Sequence, residues 1–206
     1  MPPDPANTIE KILRSAEAEF LQNGYAGASL RKIAAAAGLT TGALYRHYAD
    51  KEALYRALVE PVYHKILDFL REETELYEGL LDSGGLDAMW EDSGRGVELV
   101  VRYIYEHLEA ARLLISASKQ TVLGDFREKI IGMDVDLTAR YLRAARKRGY
   151  TLRKLSREEL YITTLGQYAG FFEIVLRHDE LQEALKYVRT YSAFCTGGWK
   201  KLLEET

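Results

Sequence analysis

Apolar residues recur three and four positions apart through almost the whole chain, and no stretch alternates apolar with β-branched polar residues long enough to make a sheet, which predicts an all-helical protein. Ile9, Ile12, Leu13, Ala16 and Phe20 mark the stripe of a first helix, opened by an Asn7–Glu10 capping box and closed by Gly24. Leu30, Ile33, Ala34 and Ala37 mark a second, short stripe with Ser29 placed to cap it. Gly38 ends that helix in a sharp turn, Leu39 anchors the corner, and Thr40 or Thr41 caps a third helix. In the third helix Leu44 and Tyr48 share one face, which leaves Thr41, Gly42, Tyr45, Arg46 and His47 mostly on the other. Asp50 caps a long fourth helix through Leu54, Leu58, Val62, Ile66 and Phe69 or Leu70, and Pro61 inside it predicts a kink.

Asp82 to Gly85 reads as a loop, followed by a helix from near Leu86 to about Leu108. Ser93, Gly94 and Gly96 weaken its first half, whereas Val97, Leu99, Val100, Tyr103 and Ile104 strengthen its second. A short helix through Leu113 to Ser116, a connection around Thr121 to Gly124 and a long helix from about Asp125 to Arg148 come next, the last stopped at Gly149. Ser156 and Glu159 form another capping box, opening a helix to about His178, and a final helix runs from about Asp179 to Glu204. Gly166 with Gly170, and Ala193 with Gly197, lie four apart, so each pair offers a groove for close helix contact. Interior glycines cost about 1 kcal/mol each relative to alanine and need such a packing reason.

A short helix, a glycine turn and a second helix with an exposed polar and aromatic face have the grammar of a helix-turn-helix, which suits the major groove of DNA. The competing reading, a helical hairpin inside an ordinary bundle, has the same spacing. The residues themselves favour the first. Residues 9–55, and above all GLTTGALYRHYADKEAL with Phe20 and Gly24 near the end of the preceding helix, resemble the N-terminal DNA-binding domain of the tetracycline-repressor (TetR) family of bacterial regulators. The resemblance implies a helix-turn-helix domain over residues 1–50 and a helical effector-binding and dimerisation domain over 51–206. It implies DNA contacts from Ser29, Arg31, Lys32, Thr40, Thr41, Gly42, Tyr45, Arg46, His47 and Lys51. It also implies a homodimeric, ligand-responsive transcription factor, usually a repressor.

Charge is compatible with this reading but does not carry it. The 206 residues hold 28 Lys and Arg against 31 Asp and Glu, a net charge of −3, which disfavours a general nucleic-acid binder. The distribution matters more, because Arg31, Lys32, Arg46 and Lys51 gather around the turn while Asp4, Glu10, Glu17 and Glu19 precede it. A single cysteine, Cys195, reads as buried packing and fits a reducing cytoplasm. No apolar stretch approaches the roughly 20 residues that cross a bilayer. No phosphate loop, nucleophile elbow or metal-binding motif occurs, so neither an enzyme nor a cofactor or metal is expected.

In the resembled family the last two helices of each subunit pair into a four-helix dimer interface. Here Tyr161, Leu165, Tyr168, Phe172, Tyr187, Tyr191, Phe194 and Trp199 would supply its contacts. The helices between the DNA-binding domain and that pair enclose a small-molecule pocket in the family, for which Tyr103, His107, Phe126 and Tyr168 are the candidates, suited to an apolar or aromatic effector. The expected function is repression from a palindromic operator, relieved by the effector, with Pro61 as a hinge that passes movement to the third helix. The alternative is a DNA-binding regulator without a small-molecule effector, controlled by a protein partner.

Overall fold

The computed structural model describes residues 5–83, 85–117, 121 and 123–204; the expectations for Pro2, Pro3 and Gly84, and part of the connection before Gly124, lie outside them. Among the described residues there are nine helices and no strand: α1 (Pro5–Gly27), α2 (Leu30–Ala36), α3 (Thr41–His47), α4 (Lys51–Ser83), α5 (Gly85–Glu106), α6 (Leu108–Ile115), α7 (Phe126–Lys147), α8 (Arg157–Arg177) and α9 (Leu181–Leu203). The chain divides into two compact units, residues 1–64 with 107–126 and residues 65–106 with 127–206. The division differs from a break at 50/51, because α4 is one helix whose first half belongs to the first unit, and α6 belongs there too.

In the first unit, α1 supplies Ile12, Ala16 and Phe20 to a core completed by Ile33, Ala34, Leu44, Leu54, Tyr55 and Val59, all essentially inaccessible to water. Ile9, at the start of the predicted stripe, is 39% exposed. Helix α1 begins at Pro5, so Asn7 lies within its first turn and the Asn7–Glu10 capping box does not form; proline is at home at a helix start. Gly24 breaks the helix with φ 66° and ψ 171°, and one further turn leads to Gly27. Phe20, Tyr25 and Tyr55 pack their rings together, Tyr55 edge-on to both of the others. The Tyr55 hydroxyl donates to the carbonyl of Leu113 on α6 (3.0 Å), and burial, then Tyr25, pushes its pKa up to about 12. An acid lies on the α1–α6 contact as well: burial first, and Glu109 second, raise the Glu17 carboxyl.

The second unit is built on α5, α8 and α9. Val101, Leu185 and Val188 form one cluster of its core, with Val97, Tyr105, Phe171, Ile174 and Leu181 packed against them. Bidentate pairs fasten its periphery, Arg189 to Glu98 (2.7 and 3.1 Å) and Arg148 to Asp82 (2.5 and 2.9 Å). The Ser156–Glu159 capping box at α8 forms in full. Gly170 has its packing reason in the ring of Tyr191, which occupies the space a Cβ would need, and the Tyr191 hydroxyl donates to the Gly166 carbonyl (2.8 Å). The groove therefore receives an aromatic ring of α9. Gly166, Gly197 and Gly198 would meet nothing with an added Cβ. Of the predicted loop at 82–85, Asp82 and Ser83 belong to the end of α4, and Gly85, at φ 73° against the Tyr150 hydroxyl, begins α5.

Gly38 is the turn on which the orientation of α3 depends. Its φ of 72° is left-handed, and the amides of Gly38 and Leu39 return to the carbonyls of Ala35 (3.0 Å) and Ala34 (2.8 Å). An alanine finds open space there but must adopt the same φ, at a cost of about 1 kcal/mol. Gly38→Ala is expected to lower the urea-unfolding free energy by that amount; an unchanged midpoint and slope would show that the turn tolerates a side chain.

Candidate functional site

Helix α3 is a two-turn helix held by one buried side chain. Thr40 is its N-cap, its hydroxyl accepting from the Ala43 amide (3.1 Å), and Thr41 is its first helical residue. Leu44 points inward and is fully buried, and Tyr48 is half-buried just past the C-terminus. The opposite face is open: Gly42, Tyr45, Arg46 and His47 are exposed, Tyr45 to 50%, and Thr41 is half-exposed. Gly42 has no atom within contact distance of an added Cβ, so the backbone itself is approachable. Among the described residues the side chains of Tyr45, Arg46 and His47 make no hydrogen bond or ion pair, which leaves their polar groups available to an external partner.

The residues before α3 serve it in ways spacing alone did not indicate. Ser29 occupies the N-cap position of α2, yet its hydroxyl makes no cap bond. Its amide donates to Glu19 (3.1 Å), a carboxylate on α1 that also lies 4.0 Å from Lys32. Glu19 thus organises the start of α2, and Lys32, two-thirds exposed, is partly neutralised by it. Arg31 is exposed. Lys51 is engaged within the unit: its ammonium donates to the carbonyls of Ala26 (3.1 Å) and Ala28 (3.2 Å) and stands 4.9 Å from the centre of the Tyr25 ring. Asp50 caps α4 through the Ala53 amide (2.7 Å), so Lys51 is pinned at the first residue after the cap.

The four ligand candidates fall in both units. Phe126 is 1% exposed and packs on Tyr63 in the first unit (5.8 Å), and His107 is exposed at the N-cap of α6. Tyr103 and Tyr168 belong to the second unit, Tyr103 edge-on to Phe69 (5.8 Å). Tyr168 leads to residues that carried no motif. Its hydroxyl is bonded to Asp134 of α7, which also accepts from Thr138 (3.4 Å). Burial dominates there and raises the Asp134 carboxyl to about 6. Glu73 of α4 is near enough to act on Tyr168, accepts from the Tyr77 hydroxyl, and lies against Gly96 of α5. An Asp at helical spacing has no sequence signature that separates it from a surface residue, so this cluster became visible only in the fold.

The eight candidate dimer residues divide as well. Tyr161, Leu165, Tyr187 and Phe194 are exposed, Phe194 to 72%. Phe172 is buried within the subunit beneath Arg127, Tyr191 lies in the α8 groove, and the Trp199 indole donates to Gln167 (2.7 Å). Tyr168 is held by Asp134, and Ile162, 59% exposed, joins the outward face. Cys195 is half-buried with its thiol raised by that burial, consistent with packing.

Two outcomes follow from these contacts. Lys51→Ala removes a charged donor from two carbonyls, a loss of about 1 to 3 kcal/mol that thermal unfolding of the full chain reads directly; an unchanged melting temperature would contradict the anchoring role. For Asp134 the sign runs against the usual carboxylate. Its folded pKa of about 6 lies above the ordinary 3.8, so the stability it contributes is complete at low pH and is lost as pH rises through about 6. Urea midpoints of Asp134→Asn should therefore fall less than those of the wild type between about pH 4 and pH 7, and parallel falls would refute the shift.

Comparison with known proteins matches the region around α3. Residues 12–58 match the model of bacterial regulatory proteins, tetR family. The transcriptional repressor AcnR of Corynebacterium glutamicum is 32% identical over 80 residues, 38% of this chain and 43% of that protein, so less than half of the relative's length is spanned. The repressor BepR of Brucella suis is 41% identical over 54 residues, 26% of each chain. Among solved structures, a complex of SmeT with triclosan superposes with a TM-score of 0.61 at 25% identity, covering 93% of this chain and 90% of that one. GusR of Salmonella enterica superposes with a TM-score of 0.61 at 19% identity over 97% of each chain, which shows the same fold. Residues 12–58 thus carry the helix-turn-helix sequence of the tetR family of bacterial regulatory proteins, and the solved structures share the all-helical fold of the rest of the chain.

Proposed function

We propose that this protein is a homodimeric, sequence-specific DNA-binding repressor whose α3 helices enter successive major grooves of a palindromic operator. The observation that carries the reading is the open face of α3, where Thr41, Gly42, Tyr45, Arg46 and His47 stand around one buried anchor, Leu44. Hydroxyl, imidazole and guanidinium groups on a close-approaching backbone can donate to base edges and phosphates. Arg31, Lys32 and the exposed hydroxyl of Thr40 flank that face and take backbone positions, with Ser29 beside them. Lys51 contributes by holding the corner, in addition to its charge. AcnR and BepR, the relatives matched over this region, are named repressors.

A single two-turn helix reads too few base pairs for specificity, and a two-fold pair reads half-sites about one turn of DNA, ~34 Å, apart. The outward face of α8 and α9 supports such pairing. Tyr161, Ile162, Leu165, Tyr187 and Phe194 are exposed there, and a Cβ added at Gly166, Gly197 or Gly198 would meet no atom of the subunit, which leaves room for a partner's helices. A small-molecule effector that favours a conformation with altered α3 spacing would release the operator. The similarity to SmeT, solved with triclosan, and the aromatic side chains of the second unit support an effector. Pro61 lies within a turn of the 64/65 boundary between the units and is the hinge candidate on α4.

Selection from random DNA with purified protein is expected to yield a palindrome. The Thr41→Ala/Tyr45→Ala double variant should lose at least about tenfold affinity for it while keeping the wild-type melting temperature, because it deletes contacts on an exposed face. Undiminished binding by that variant would remove α3 from the recognition role.

A further inference from the structure

Glu19 of α1 brings a nearly buried carboxylate to the start of α2, beside a cation of that helix. Its side chain is 10% exposed, and its Oε1 accepts from the Ser29 amide (3.1 Å). The Ser29 hydroxyl makes no cap bond, so an acid ten residues upstream, on another helix, takes the part of a capping side chain. The Lys32 ammonium lies 4.0 Å from the same oxygen, beyond hydrogen-bond reach, and its side chain is 67% exposed. The pair is therefore electrostatic and easily opened, and Lys32 can turn from the carboxylate to an anion outside.

The surroundings single out this pair. Glu19 and Lys32 both line an open groove of about 400 Å³ between α1 and α2, together with Arg14, Ser15 and Gln22. Arg14, the other cation of that lining, is paired with Glu10 on its own helix. Arg31 precedes Lys32 on α2, is exposed, and has no ion pair among the described residues. Two adjacent cations thus differ in one respect: Lys32 has an internal acid and Arg31 has none. A phosphate that attracts Lys32 repels the carboxylate beside it, so part of the attraction is cancelled.

We infer that Glu19 is a positioning residue for DNA binding with two jobs: its oxygen fixes the start of α2 through the Ser29 amide, and its charge restrains the phosphate contact of Lys32. The inference rests on the proposed DNA-binding reading and adds an internal control on its electrostatic part. Chemistry separates the two jobs. Glutamine keeps an acceptor oxygen for the Ser29 amide and loses the charge, whereas alanine loses both. Affinity for DNA of any sequence depends on such charges, so Glu19 holds that affinity down without altering the base-reading groups of α3. Arg31, outside its reach, is the comparison.

Fluorescence anisotropy of the full-length protein tests both jobs, on a selected operator duplex and a scrambled duplex of equal length, each titrated over a range of salt. Glu19→Gln should bind the scrambled duplex about threefold more tightly than the wild type and steepen the salt slope by up to about one per subunit. Lys32→Ala should cost about threefold more affinity in the Glu19→Gln background than in the wild type, whereas Arg31→Ala should cost the same in both. Glu19→Ala should melt lower than Glu19→Gln and bind the operator less tightly than it by about threefold or more. If Glu19→Gln fails to fold, the wild-type chain supplies the test, because Arg31→Ala should flatten the salt slope more than Lys32→Ala does. An unchanged slope in Glu19→Gln, additive effects at Glu19 and Lys32, equal flattening by the two α2 cations, or identical Gln and Ala variants overturns the inference. Operator binding without these couplings leaves the DNA-binding reading standing and sinks the inference alone. Failure of the wild type to bind either duplex sinks both.

Discussion

The Lys51 ammonium, seated on the carbonyls of Ala26 and Ala28 and over the face of Tyr25, ties the end of α1 to the start of α4 across the two short helices between them. Helices of seven residues have little stability of their own, so α2 and α3 take their geometry from what brackets them. Glu19 fixes the entry to α2, Gly38 sets the turn, Leu44 pins α3 and Lys51 closes the frame. The outward face of α3 is free to carry chemistry because so little of the helix is needed for its own anchoring.

That division of labour explains why so much of the first unit was legible in the sequence. Gly38, Leu39, Thr40, Leu44 and Asp50 each have a local physical reason to sit where they do, and local rules with short spacing survive folding. Ser29 and Lys51 were harder to read. Their partners, Glu19 and the carbonyls of Ala26 and Ala28, lie ten or more residues away, and hydrogen bonds across that distance have no periodic signature. The Asn7–Glu10 pair misled for the opposite reason: the local rule was satisfied, but Pro5 starts the helix earlier.

In the second unit helix boundaries followed the pattern closely, while partnerships did not. Tyr168, Phe172, Tyr191 and Trp199 all look alike as aromatic residues on the last two helices, yet Tyr191 fills the Gly166–Gly170 groove and Phe172 is core. Which face of a helix meets its own subunit is decided by three-dimensional packing. The same holds for Asp134. It follows Ile130 and Ile131 on the buried face of α7, where burial raises its carboxyl to about 6, but its partner, Tyr168 of α8, is set only by the fold.

Hydroxyl-radical footprinting of the full-length protein on a selected high-affinity duplex tests the central claim most directly. The account predicts two protected patches on one face of the DNA, related by a dyad and about one helical turn apart, both weakened when Tyr45 is replaced by alanine. A single patch without a dyad, or protection indifferent to Tyr45, would contradict it.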